Sequence, residues 1–260
     1  MITKKNAFWG EIELPWSNYK TFYLEHEHWQ EPYILNKKES HHLLHVLRIQ
    51  IGTEVHVLDG RGREGLFSVK EIIKDRVSLS YINDWMHPEP TRKVILAAGW
   101  TKAARRGWLF EKAAELEAWA IWFWKAERSQ FPLSEAKKES WQGQIIAGAK
   151  QCNNPWFPSL QVFPSGVEEL IYNVDTIGCD FRHVLVENTC GPSQPLTLDM
   201  LSQTGLTICV LGPEGGFTQQ EILKLKEASF LSLTLGDRVL RWETAAILCL
   251  GLHWWKKVYS

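Results

Sequence analysis

From residue 94 onward the apolar positions fall into short continuous runs, separated by stretches with a helical period. Val94–Ala98, Trp119–Trp124, Phe181–Val186, Leu206–Leu211 and Leu231–Leu235 have the length and composition of buried strands. Between and after them Arg106–Leu116, Ser134–Lys150, Gln219–Ser229 and Glu243–Lys257 carry apolar residues at helical spacing. Apolar strands alternating with helices predict an α/β domain with a largely parallel sheet. Upstream the period is two: Arg76–Ile82 sets Val77, Leu79 and Tyr81 against polar neighbours, and Glu54–Leu58 runs into the turn dipeptides Asp59-Gly60 and Arg61-Gly62. One short helix, Lys37–Arg48, is predicted by the apolar stripe of Leu43, Leu44, Val46 and Leu47. Pro88 and Pro90 mark a linker. The reading is a mainly β unit over 1–82, a linker over 83–92 and an α/β domain over 93–260.

Composition narrows the function. The 29 basic and 30 acidic residues leave a net charge of −1, so any contact with nucleic acid needs a local basic patch rather than a global field. The five cysteines, at 152, 179, 190, 209 and 249, are odd in number and form no C-x-x-C pair, which points to a reducing cytoplasm and away from a disulfide framework or zinc ribbon. His41, His42 and His45 lack a carboxylate or cysteine at ligand spacing, and no metal is expected. Glu11 and Glu13 interrupt the N-terminal segment before a secretory core develops. The longest apolar runs, Ala118–Trp124 and Ala245–Leu252, fall short of the roughly 20 residues that a membrane helix needs. No membrane association is expected. The 14 tryptophans read first as core and interface material.

In open α/β sheets ligands bind outside the carboxyl ends of the strands, which directs attention to the loops at 99–106, 212–218 and 236–242. The second of these, Gly212-Pro213-Glu214-Gly215-Gly216, follows a buried strand, and its missing Cβ atoms let backbone approach a ligand. Thr218 and Glu221 then form a T-x-x-E capping box, with Phe217 and Ile222 placed as a hydrophobic staple. Neither the P-loop nor the dinucleotide glycine pattern is present. Leu235-Gly-Asp-Arg-Val-Leu-Arg-Trp-Glu-Thr-Ala245 repeats the design of strand, glycine turn and polar helix entry.

This pair of motifs resembles the small-subunit ribosomal RNA methyltransferase E family, the 16S rRNA uridine-N3 methyltransferases of the SPOUT superfamily. The likeness extends upstream through His41-His42-Leu43, Val46-Leu47-Arg48, Asp59-Gly60-Arg61-Gly62, Lys102, Glu111–Leu116 and Gln151-Cys152. It implies an N-terminal PUA-like β-barrel that engages RNA, and a methyltransferase domain whose C-terminal segment is threaded as a trefoil knot. It also implies S-adenosylmethionine (SAM) as cofactor, a homodimer with the active site near the subunit interface, and 16S rRNA or the small ribosomal subunit as partner. Carried over by position, Leu211, Gly212, Glu214, Gly215, Gly216, Leu235, Gly236, Leu240 and Thr244 form the cofactor pocket. Arg238 and Arg241 are the catalytic candidates, stabilising charge on the uracil or holding its phosphate; an ion pair with Asp237 or Glu243 is the structural alternative. Arg48, Arg61, Arg63, Lys102, Arg105 and Arg106, with Lys112 near them, supply local basicity for RNA. The final helix carries Ile247, Leu248, Leu250, Leu252, Trp254 and Trp255 on more than one face, which suits a dimer seam.

Three positions depart from the family pattern: Glu117 where Gly follows Glu-Leu, Asn154 where Arg is common, and Trp242 in place of Thr before Glu243. They keep two other readings open, a noncatalytic RNA-binding or ribosome-assembly factor and a methyltransferase acting at a different RNA site.

Overall fold

The computed structural model describes residues 18–101, 103–130, 138–187, 193–201 and 203–258, without the side chains of 103–106 and 138–139. The chain divides into two compact units, Met1–His87 and Pro88–Ser260.

In the first unit, β1 (Thr21–Tyr23), β2 (Tyr33–Ile34), α1 (Lys37–His41), β3 (Glu54–Leu58), β4 (Arg63–Ile73) and β5 (Arg76–Met86) build a five-stranded sheet in the order β1-β3-β4-β5-β2. Register shifts between Leu66 and Phe67 and between Val69 and Glu71 bend β4. The sheet is a curled half-barrel whose edges, β1 and β2, are not paired to each other. Phe22, Leu35, Leu43, Val57, Phe67 and Val77 fill its interior. The stretch read as a single helix over Lys37–Arg48 is shorter and irregular. Asn36 caps α1 by accepting from the Glu39 amide at 2.9 Å, but the next turn widens into a π-helix over His42–Val46, and Arg48 takes a left-handed φ of 53°. At the other end, β5 continues through Met86, so 83–86 pair with β4 and only the remainder of the expected linker lies beyond the sheet.

A carboxylate between two imidazoles sits in this sheet. Glu64 accepts from His56 Nε2 at 3.0 Å and from His87 Nε2 at 2.6 Å. Burial works to raise the Glu64 carboxyl, but the hydrogen bonds and charges of the two histidines outweigh it and bring it down to about 2. The same contact raises His87 above its usual 6.5, against the opposing effect of burial.

The second unit comprises β6 (Arg92–Gly99), α2 (Ala103–Glu115), β7 (Ala120–Trp124), α3 (Lys138–Cys152), β8 (Ser159–Phe163), α4 (Val167–Ile177), β9 (Phe181–Leu185), β10 (Gln194–Pro195), β11 (Gly205–Leu211), α5 (Gln219–Glu227), β12 (Leu231–Thr234) and α6 (Trp242–Val258). Its seven strands are ordered β10-β12-β9-β11-β6-β7-β8, and every pairing is parallel. Separate apolar clusters cover the two faces, one containing Leu109, Phe110, Ile145 and Ala246, the other Leu170, Val174, Ile222 and Leu225. Among the described residues no helix is long and apolar enough to cross a membrane.

Two of the departures have packing explanations here. The end of α2 is a Schellman motif, with Ala118 N donating to Ala113 O at 2.9 Å and Glu117 N to Ala114 O at 3.3 Å. Glu117 occupies its left-handed position at φ 52°, where glycine is the unstrained choice, and its carboxylate is paired with Lys257 of α6. Asn154 is buried: its Nδ2 donates to Ala114 O at 2.9 Å and its Oδ1 accepts from Trp156 N at 2.9 Å, tying the ends of α2 and α3 together.

Two outcomes are expected. Glu117→Gly should stabilise the second unit by up to about 1 kcal/mol, because the relieved backbone strain exceeds the part-exposed ion pair that is lost; the denaturant midpoint measures this. Glu64→Gln should destabilise the first unit by about 1–3 kcal/mol. Its deficit should be largest between about pH 4.5 and 6.5. Below that window the native contribution of Glu64 fades as pH falls toward its folded value, and above it that of His87 fades as pH rises through its raised value. Hydrogen exchange of the β4 amides across pH reports the window.

Candidate cofactor and RNA site

Because all strands of the second unit run in one direction, the loops leaving β6, β7, β11 and β12 emerge along the same sheet edge. The loop after β11 is fixed from several sides. Thr218 and Glu221 form the expected capping box, with the Glu221 amide donating to Thr218 Oγ1 at 3.2 Å and the Thr218 amide to Glu221 Oε2 at 2.8 Å. Phe217 and Ile222 are both buried in the same cluster, as a staple requires. A further link has no local signal along the chain: the other oxygen of the buried Glu221 accepts from Glu127 N at 2.9 Å, so one carboxylate joins the β7 and β11 loops. Trp124, at the end of β7, donates to Leu211 O at 3.3 Å and stacks on Phe217 with centroids 5.8 Å apart.

The glycines here serve different ends. A Cβ on Gly99 would lie 2.7 Å from the Gly212 carbonyl carbon, so the end of β6 passes close beneath the β11 loop. At Gly215 the reason differs from the expected ligand approach: a Cβ would meet Arg128 Cβ at 3.0 Å and Arg128 O at 3.2 Å, and the Arg128 guanidinium donates to Gly215 O at 3.2 Å. Gly216 (φ 70°) and Gly236 (φ 125°) hold conformations that favour glycine, and a Cβ on either would enter open space. Glu214, itself exposed, accepts from the buried Thr101 Oγ1 at 2.5 Å, linking the β11 loop to the β6 loop.

The loop after β12 turns on Thr234, whose hydroxyl donates to Gly236 O at 2.8 Å. Leu235 and Leu240 are half-buried against the cluster that contains Leu211. Arg238, Arg241 and Thr244 are exposed, and Arg241 O accepts from Ala245 N at 2.9 Å in the first turn of α6. Trp242, the third departure, is buried in the core at the start of α6. The arrangement is a backbone-rich cradle with apolar walls and two cationic side chains at its rim.

The basic residues proposed for RNA separate. Arg48 is exposed, and Arg61 is an exposed side chain paired with Glu27 at 2.9 Å. Arg63 is committed to its own unit, paired with Asp84 and stacked over Trp29 with the guanidinium carbon 5.0 Å from the ring centroid. Lys112 is engaged by Glu115 at 2.7 Å. Lys102 lies outside the described residues, and Arg105 and Arg106 lie on α2 with side chains that are not described. Sequence reasoning also missed the i, i+4 pair Cys249 and His253 on α6, a spacing that places both on one helix face.

Comparison with known proteins adds to this geometry. A family model described as an RNA methyltransferase domain matches residues 87–254, and one described as an RNA methyltransferase PUA domain matches residues 35–80. The ribosomal RNA small subunit methyltransferase E of Bacillus subtilis is 27% identical over 226 residues, covering 82% of this chain and 86% of its own. The protein of the same name in Mycobacterium tuberculosis is 25% identical over 222 residues, or 84% of each chain. A methyltransferase of Legionella pneumophila, solved with its cofactor SAM bound, superposes with a TM-score of 0.75 at 26% identity, covering 90% of this chain and 96% of that one.

Glu221→Ala should destabilise the second unit by about 1–2 kcal/mol, since it removes half of the capping box and the acceptor of the Glu127 amide. Thermal unfolding gives the magnitude, and faster hydrogen exchange in both 125–129 and 212–218 would identify the shared clamp.

Proposed function

The chain belongs to the RNA methyltransferase domain family, and we propose on that premise that it methylates N3 of a uridine in 16S ribosomal RNA, using SAM and acting as a cytoplasmic homodimer. The cradle formed by the β11 and β12 loops carries this reading. Leu211, Leu235 and Leu240 would hold the faces of the cofactor's adenine, and the backbone at Gly212, Glu214, Gly215, Gly216 and Gly236 would bond its edge, with Thr244 at the start of α6 completing the pocket. The C-terminal segment would be threaded as the trefoil knot of the SPOUT superfamily.

When bound, SAM supplies a methyl group on a sulfonium, an electrophile suited to in-line displacement. The protein's tasks are then to position the base and to stabilise the charge left when uridine N3 gives up its proton. Arg241 and Arg238, exposed beside the cradle, are the cations for that charge. Neither methyl transfer nor this stabilisation calls for a metal. Arg48 and Arg61 on the first unit, with Lys102, Arg105 and Arg106 on the second, would neutralise phosphates; the pairing of Arg63 with Asp84 makes it a weaker candidate. On α6, Leu248 and Trp255 remain 37% and 52% exposed one face apart from the buried Leu250, which supports the dimer seam.

The noncatalytic alternative rested on the three departures. Glu117 and Asn154 terminate and tie helices, and Trp242 packs in the core, so each has a role that leaves the cradle intact.

S-adenosylhomocysteine should bind the purified protein in calorimetry, and Gly236→Ala should weaken that binding by straining the turn. Arg241→Ala should lower the single-turnover rate on 16S rRNA by about 10²-fold with cofactor affinity nearly unchanged. Arg48→Ala should instead weaken RNA binding and reduce its salt slope by about 1. If Arg241→Ala kept its full rate and lost only RNA affinity, Arg241 would join the phosphate contacts. Nucleoside mass spectrometry of the product identifies the methylated atom.

A further inference from the structure

Away from the cradle, beneath α6, the second unit holds a group of sulfur and nitrogen donors that methyl transfer does not use. Cys209 lies mid-strand on β11, and Cys249 and His253 sit one turn apart on α6. Their three donor atoms all lie within 4.8 Å of one another, with Cys209 Sγ 3.6 Å from His253 Nε2. His183, the register partner of Cys209 on β9, brings its Nδ1 to 4.0 Å from the same sulfur. Both cysteines are completely buried and His183 is 5% exposed.

An ordinary core explains buried thiols, which pack as small apolar groups. It does not explain the imidazoles. Each presents a ring nitrogen to Cys209 Sγ, His183 Nδ1 at 4.0 Å and His253 Nε2 at 3.6 Å. Two rings from different elements thus converge on one sulfur, with a second sulfur beside it.

We propose that Cys209, Cys249 and His253 form a structural site for a borderline-soft divalent cation, Zn2+, with the fourth position taken by His183 once its ring, now 4.0 Å from Cys209 Sγ and outside the three-donor group, turns toward the ion. Tetrahedral zinc with bonds of about 2.3 Å to sulfur and about 2.0 Å to nitrogen sets S···N edges of about 3.5 Å and S···S edges of about 3.8 Å. The Cys209–His253 separation already has that length. The other separations, all within 4.8 Å, must shorten by about 1 Å at most, within the reach of side-chain rotation. Each thiol gives its proton to solvent as its metal–sulfur bond forms, leaving two thiolates to neutralise the cation. Of the four, His253 alone borders a small cavity, whose walls also include Arg92, Val94, Thr207 and Lys257. The bound ion would fasten the C-terminal half of α6 to the centre of the sheet. This site is independent of the cofactor reading, and its failure would leave that reading untouched.

The test uses the reduced full-length protein prepared free of metal. Expected results are uptake of one equivalent of Zn2+ with micromolar or tighter affinity, and a rise in Tm of about 5–10 °C at free Zn2+ a hundredfold above Kd. Co2+ in its place should give the intense thiolate charge-transfer band and tetrahedral d–d spectrum of a sulfur-ligated ion. Cys209→Ala and Cys249→Ala should each abolish the Co2+ thiolate spectrum, while His41→Ala and His45→Ala, at the surface histidine pair, should leave it intact. The proposal is overturned if the wild-type protein gives no thiolate band with Co2+, if folded Cys209→Ala retains full Zn2+ affinity, or if removing His41 and His45 eliminates uptake. Should the cysteine variants fail to fold, the wild-type Co2+ spectrum decides alone.

Discussion

Parallel pairing governs the second unit. Seven strands that all point the same way can be connected only by returning the chain across a face of the sheet, so every connection costs a helix or a long crossover. In exchange, the loops leaving β6, β7, β11 and β12 gather at one edge. Loops left to themselves there would be a mobile fringe with unsatisfied backbone groups. The chain restrains them with a few buried contacts, among which Glu221 is central because its two oxygens serve amides in different loops. The Thr101–Glu214 bond and the Trp124 indole extend the restraint to the β6 loop and the β11 strand end. A cradle lined by backbone becomes specific only when its backbone is held still.

The sequence was most legible where burial is most complete. Strands flanked by helices on both faces are continuous apolar runs, and β6, β7, β9, β11 and β12 were anticipated within a residue or two. The edge strand β8, with exposed Ser159 and Gln161 alternating with better-covered neighbours, carries too weak a run to stand out. Helix α4 is missing from the sequence expectation, although Val167, Leu170, Ile171 and Val174 share a helical face and Gly178 ends it in the left-handed conformation. In the first unit, β1 and β2 are only three and two residues long and owe their extended form to pairing partners distant in sequence. No local pattern encodes such strands.

At the candidate site the glycine motifs and capping box were legible because backbone conformation restricts residue type locally. The reason for each glycine was not. Gly215 yields to Arg128, Gly99 to the β11 loop, and Gly216 and Gly236 to their own φ angles, distinctions that only tertiary neighbours create. The same holds for cationic residues: Arg61 and Arg63 are two positions apart, yet one is exposed and the other is stacked on Trp29. The grouping of Cys209 with Cys249 and His253 lay equally beyond a linear reading, because one donor is on a strand and two are on a helix.

The left-handed Glu117 constrains the paths open to this protein as its sequence changes. Glycine would suit that backbone better, but Lys257 on α6 has settled against the carboxylate. The ion pair offsets part of the backbone strain, so removing the lysine would leave the strained glutamate uncompensated. The two positions, 140 residues apart in the chain, are thereby coupled, and the cost of changing Lys257 depends on which residue stands at 117.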